Sequence, residues 1–214
     1  LEDVHVKTSL FAVLLLLLST GNVAMATEEP AFTAIVDDGV FQVREYPALA
    51  VAETRVAGDR GRASGTGFRI LAGYIFGGNT RRESIAMTAP VLQSPPSGET
   101  IAMTAPVSQT EAGDAWVVRF MMPSGYTMET LPKPNDPRVT LTMMPPARVA
   151  VVRFSGWAND REFQRRRAEL EQWMAKRGLR TVGPASYAQY DDPWTPGPQR
   201  RNEVMLPVAP ITKP

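Results

Sequence analysis

Pro47-Ala48-Leu49-Ala50-Val51-Ala52-Glu53-Thr54-Arg55-Val56-Ala57-Gly58 returns in diluted form about a hundred residues later, as Pro146-Ala147-Arg148-Val149-Ala150-Val151-Val152-Arg153-Phe154-Ser155-Gly156. Pro-Ala, Val-Ala, Arg and Gly match, with one residue deleted in the second copy. Each copy reads as a strand that ends at a glycine. Each is followed by a helical segment, one beginning near Phe68 and the other near Phe163. A strand–helix unit used twice at this spacing predicts two half-domains sharing one core, not a solenoid.

The second helix is the better marked. Asn159 with Glu162 three residues on is a capping-box signature, and Gly178 is a stop. Phe163, Leu170, Trp173 and Met174 fall roughly on one face, interrupted by Arg166 or Arg167, while Arg165–Glu169 and Arg167–Glu171 are i,i+4 pairs. The first helix, over 68–76, has little polar surface, and Gly77, Gly78 and Asn79 end it. Such a helix is buried nearly all round or shows apolar surface to a ligand. The four glycines of 58–67 predict a flexible approach to it.

A second repeat is literal. Ile85-Ala86-Met87-Thr88-Ala89-Pro90-Val91 recurs as Ile101-Ala102-Met103-Thr104-Ala105-Pro106-Val107, with the starts 16 residues apart. The alternation puts Ile, Met, Ala and Val of each copy on one face, which predicts two strands joined by a long hairpin connection. Met87 and Met103 then face either the interior, the favoured reading for a gap-filling thioether, or an apolar groove. Further strands are expected over 41–46, 49–56, 116–122, 139–143, 149–154, 185–190 and 203–208. Strands on both sides of two helices argue α+β with an antiparallel sheet. Pro-rich stretches at 131–137 and 191–198 read as loops, and the second presents Trp194.

Lys7, the apolar run over 10–18 and Ala24-Met25-Ala26 read as a secretory signal peptide over residues 1–26, its core too short to span a bilayer comfortably. The expectation is an exported domain, periplasmic or secreted, over 27–214. No later stretch is long and apolar enough for a membrane span. A chain of that size buries about 70% of its unfolded surface. The formal net charge of +1 gives no reason to expect nucleic acid. Cysteine is absent and the one histidine is His5, inside the leader. The processed chain therefore has no imidazole and no thiolate, which excludes Ser-His-Asp triads, cysteine nucleophiles and the usual zinc sites.

Taken in order, Val43-Arg44-Glu45-Tyr46-Pro47, Tyr74-Ile75-Phe76-Gly77-Gly78-Asn79, the Ile-Ala-Met-Thr-Ala-Pro-Val copies, Phe154-Ser155-Gly156-Trp157, Tyr190-Asp191-Asp192-Pro193-Trp194-Thr195-Pro196 and Arg200-Arg201-Asn202-Glu203-Val204 resemble the SOUL family of haem-binding proteins. The resemblance runs from about Phe41 to Val208. It implies a distorted antiparallel β-barrel with two helices and a pseudo-twofold internal repeat. It also implies a non-enzymatic monomer that holds haem or another tetrapyrrole in an apolar groove along the first helix, for scavenging, buffering or carriage. The matching positions are Phe68, Arg69, Ala72 and Ile75 on the helix, and Trp194 and Thr195 in the loop before the last strand.

This chain departs from the family in three ways. Histidine ligation of iron is unavailable after processing, leaving Met, Tyr or no axial ligand. Thr195 stands where a basic residue is expected, so Arg69, or Arg60 and Arg62, must meet the propionates. Phe68 and Ala72 stand where methionines occur in some members. Trp194 suits ligand stacking and loop packing equally. The Arg200-Arg201-Asn202-Glu203 run, beside Asp191 and Asp192, reads better as a charge network fixing the last strand than as a catalytic cluster. Tyr74 and Tyr190 read as structural hydroxyls. The rival functions are a tetrapyrrole-modifying enzyme and a protein-interaction module without a porphyrin site.

Overall fold

A computed structural model describes residues 28–81, 98–191 and 195–209. Its main feature is a nine-stranded antiparallel sheet in the order β1 (Thr33–Asp38), β2 (Phe41–Tyr46), β9 (Ala147–Ser155), β11 (Arg201–Pro207), β10 (Ser186–Gln189), β5 (Val107–Ala112), β6 (Ala115–Met121), β3 (Leu49–Ala57), β8 (Thr140–Met144). A two-residue pair, β4 (Asn79–Thr80) with β7 (Lys133–Pro134), stands apart. Helix α1 (Arg60–Ile75) follows β3, and α2 (Asp160–Lys176) follows β9. A short 3-10 turn, Gly197–Gln199, precedes β11.

The strand order carries the duplication. Exchanging β2 with β8, β3 with β9, β5 with β10 and β6 with β11 reverses the sheet onto itself, leaving only β1 over. The pseudo-twofold axis thus passes between β5 and β10, and each half lends a strand to the other: β2 pairs β9, and β8 pairs β3. The glycines that end the two repeated strands share a backbone state, φ +106° at Gly58 and +112° at Gly156, where a side chain would be strained.

Register puts Ala52, Val118, Phe120, Tyr187, Val204, Val152 and Val43 on one face of the sheet, and both helices lie on that face. Beneath them are two apolar clusters rather than the single shared core expected. One gathers Phe154, Phe163, Leu170, Trp173 and Tyr187 under α2, and the other Leu71, Tyr74, Ile75, Val118 and Phe120 under α1. The helix N-termini meet over the middle of the sheet. There the buried Arg60 donates from Nε to Asp160 at 2.6 Å and lies 4.4 Å from the Phe163 ring centroid.

Helix α2 agrees with its sequence signals. Asn159 accepts from the Glu162 amide at 2.9 Å, and the four apolar stripe residues are buried. Arg166 interrupts the stripe by lying over Phe154 while pairing with Glu162 and Glu169. Helix α1 departs from expectation, because the glycine-rich approach is its first half. Asp59 caps it by accepting from the Arg62 amide, and the Arg60 contacts anchor it. Tertiary packing thus offsets a helix cost of up to about 1 kcal/mol for each interior glycine. Its C-terminus ends as expected: Gly77 has φ +106°, and Asn79 Nδ2 donates to the Tyr74 carbonyl at 2.8 Å.

The heptapeptide expectation is corrected where it can be seen. The first copy, with Met87, lies outside the described residues. In the second copy, residues 101–106 form no strand, and a ladder strand begins only at Val107. Backbone groups go elsewhere: the Ile101 amide donates to the Ile75 carbonyl and the Ala105 amide to Glu28. The Thr104 hydroxyl donates to the Met121 carbonyl, and Pro106 has no amide to offer. Thr104 is buried, whereas Met103, expected inside, is 38% exposed.

Candidate functional site

With 3.6 residues per turn, the buried residues Ala63, Gly67, Leu71 and Tyr74 set the inner side of α1. Directly opposite are Arg62, Gly65, Arg69, Gly73 and Phe76, all exposed, and Phe76 keeps 60% of its surface in solvent. The helix contains no carboxylate. Its outward face is therefore a low surface of glycine and apolar side chains with cationic groups standing on it. Arg62 has a loose pairing with Asp59 at 3.5 Å, and Arg69 Nη2 donates to Thr66 at 3.4 Å.

The residues singled out from sequence fall at different depths. Arg69 sits at the centre of the outward face and Ala72 on its shoulder. Phe68 is half-buried at the edge, its ring packed edge-on against Phe120 at 5.4 Å between centroids. Ile75 is 1% exposed and belongs to the core beneath α1, so it supports this surface without presenting any of its own. Thr195 is half-buried, and its carbonyl accepts from Arg200 Nε at 2.8 Å. Trp194 lies outside the described residues. Arg60, offered as a propionate partner, is committed to Asp160 and the core aromatics.

No His, Met, Cys or Tyr stands among the outward residues of α1. That face is apolar and cationic. It does not offer an axial donor to iron.

The charged run that opens the last strand is held in structural pairs, as read. Arg44 grips Glu203 with two bonds, Nη1–Oε2 at 2.9 Å and Nη2–Oε1 at 3.0 Å, both residues fully buried. Tyr190 donates to Glu203 Oε2 at 2.6 Å, and Asp191 accepts from the Arg201 amide at 2.5 Å. Tyr74 likewise donates to the Pro132 carbonyl. Among the described residues, no three His, Cys, Asp or Glu side chains come together as a metal site would require.

The family model described as "SOUL heme-binding protein" matches residues 27–207. The chain belongs to the SOUL family. Its antiparallel sheet and two helices are the α+β fold of that family, in open, half-barrel form, with β1 and β8 as free edges. Membership supports a haem- or tetrapyrrole-binding role in general terms, in a family of non-catalytic modules. No curated protein sequence matches. Among solved structures, the EcmrR C-terminal domain is 12% identical at a TM-score of 0.53, over 83% of this chain and 98% of that one. A hydrolase from Listeria innocua is 15% identical at 0.51, over 82% and 94%. At such identities the likeness is one of fold alone. No helix among the described residues is long and apolar enough to cross a membrane.

Proposed function

We propose that this SOUL domain binds haem or a related tetrapyrrole against the outward face of α1, as an exported monomeric scavenger, buffer or carrier. The observation that carries the reading is the composition of that face: bare backbone at Gly65 and Gly73, an exposed Phe76, and Arg62 and Arg69 with no acid in the helix. A macrocycle lying flat there would bury apolar area worth roughly 25 cal/mol per Å². Arg69 would meet a propionate with a charge-assisted bond, Ala72 and Phe68 would touch the ring, and Trp194 and Thr195 would close the edge. Iron plays no part in this scheme, since the face carries no axial donor. Export rests on the leader-like residues 1–26.

Haemin and iron-free protoporphyrin titrated into the purified protein, followed by the Soret band and tryptophan quenching, test this directly. Both are expected to saturate a single site with similar affinity. Arg69→Glu and Ala72→Glu are expected to weaken both by at least about tenfold, the equivalent of about 1.4 kcal/mol. A linear response to either pigment would remove the proposal. Saturation by haemin alone would replace it with a site built on an iron ligand.

A further inference from the structure

The face of the sheet turned away from the helices is hollow. A cavity of about 420 Å³ is lined by side chains from β2, β3, β5, β6, β8, β9, β10 and β11 together, which requires the sheet to curl around it. A second hollow of about 380 Å³ shares Pro30, Pro47, Leu49, Met121 and Met143 with the first. The two form one trough that reaches the surface past Met143, which is 47% exposed. Its volume is in the range of small-molecule sites.

The lining has two distinct parts. Pro30, Pro47, Pro106, Pro145, Pro184 and Pro207 bring hydrocarbon and no backbone N–H. Met121, Met143, Met144 and Met205 add polarizable thioethers that adapt to varied shapes. Across the floor runs a row of polar groups on adjacent strands. Arg119 Nε donates to Glu53 Oε2 at 2.7 Å, Arg119 Nη1 to Thr110 at 3.2 Å, and Thr110 shares a 2.6 Å bond with Ser186. These bonds leave Glu53 Oε1 able to accept and Arg119 Nη2 able to donate. The row is neutral as a whole, and the carboxylates at the far end of the trough, Glu28 and Glu29, are engaged by the Ser124 amide and by Arg201, so a charged ligand group beside the row would find no free counter-ion.

We infer that this trough is a second ligand site, separate from the α1 face, for an uncharged and mostly hydrocarbon or aromatic molecule carrying one hydroxyl, carbonyl or amine. The walls supply burial, and the Glu53–Arg119 row fixes the polar end. The inference stands whether or not α1 binds a tetrapyrrole.

The test uses N-phenyl-1-naphthylamine, an uncharged aromatic amine that fluoresces when buried, titrated into the purified protein. Saturable binding is expected, weakened by at least about tenfold by Met205→Trp, which fills the trough from β11. Val149→Phe fills it from β9 and serves if the first variant does not fold, near-ultraviolet circular dichroism being the check. Arg69→Glu should leave probe binding unchanged, and haemin should not displace the probe. The anilinonaphthalene sulfonate of the same ring skeleton should bind the trough at least about tenfold more weakly. Unsaturable binding, or binding indifferent to both filling variants in folded protein, would overturn the inference. So would stoichiometric displacement by haemin, which would make the trough the tetrapyrrole site, or trough binding of the sulfonate as tight as that of the amine.

Discussion

Replacing Glu203 with leucine is expected to cost about 3–5 kcal/mol of stability, read as a lower urea midpoint. The side chains of Arg44 and Glu203 are 3% and 1% exposed. Arg44 is further held by the Gln42 and Tyr46 side chains, at 2.8 and 3.0 Å. Removing the carboxylate strands a guanidinium that water cannot reach, and it also leaves the Tyr190 hydroxyl without its acceptor. The expected size reflects that stranded charge rather than any large net value of the pair. Arg44→Met combined with Glu203→Leu should therefore recover much of the loss. A single substitution costing under about 1 kcal/mol would show that water reaches the Arg44 guanidinium and replaces the lost carboxylate.

The same network sets an alkaline limit. Burial, then the Glu203 charge, raises the Tyr190 pKa well above its ordinary value, and burial raises that of Tyr46 despite the opposing Arg44. The unfolded chain releases these phenolic protons near about pH 10 while the folded chain retains them. Above that pH the unfolded state binds fewer protons, so stability falls as pH rises; below it the contribution is fully present. Urea midpoints measured at rising pH should bend downward from about pH 10, and Tyr190→Phe should flatten part of that bend. An unchanged slope in the variant would mean that Tyr190 ionises as easily in the fold as outside it.

Local chemistry made much of the architecture legible. Strand β2 has the bounds that its alternation predicts, and α2 begins at the Asn159 cap. The paired repeats anticipated the pseudo-twofold that the strand order displays. What escaped was whatever depends on distant partners. Strand β1 ladders only with β2 and is exposed along most of its length, so it carries no alternation. Strand β5, of which only Val107 fell in an expected strand, buries the polar Ser108 and Gln109; Gln109 donates to Ser64 and accepts from Arg60 of α1. The trough was hidden for a related reason. Glu53, Thr110 and Arg119 occupy alternate positions that normally face solvent, and only the curl of the sheet turns that face inward. On α1 the apolar composition was visible, but the depth of each residue was not. Gly67 and Leu71 define the inner side, and that places Ile75 inside and Arg69 outside.

Gly67→Ala should destabilise the protein by about 1–3 kcal/mol, against the usual direction of a helical Gly→Ala change. Alanine normally gains up to about 1 kcal/mol over glycine in a helix interior, so the sign of the result is itself informative. A Cβ at Gly67 would lie 2.5 Å from Val118 Cγ2 and 2.7 Å from Val118 Cβ. Val118 cannot retreat: it is fully buried, and β6 is laddered on both sides by β5 and β3. The added methyl must push α1 off the sheet and loosen Leu71 and Phe120 with it. Gly65→Ala is the matched control, since nothing lies within 4 Å of its Cβ position, and it should gain about 0.5–1 kcal/mol. Adding Val118→Ala should relieve the crowding and restore part of what Gly67→Ala loses. If Gly67→Ala is instead as stable as Gly65→Ala, the close approach of α1 to β6 is not a constraint on the fold. If the two differ in sign, glycine has two separate uses in one helix. Inward it sets how closely α1 lies on the sheet, and outward it keeps bare the surface proposed to receive a macrocycle. Gly65→Ala should then weaken porphyrin binding while strengthening the fold.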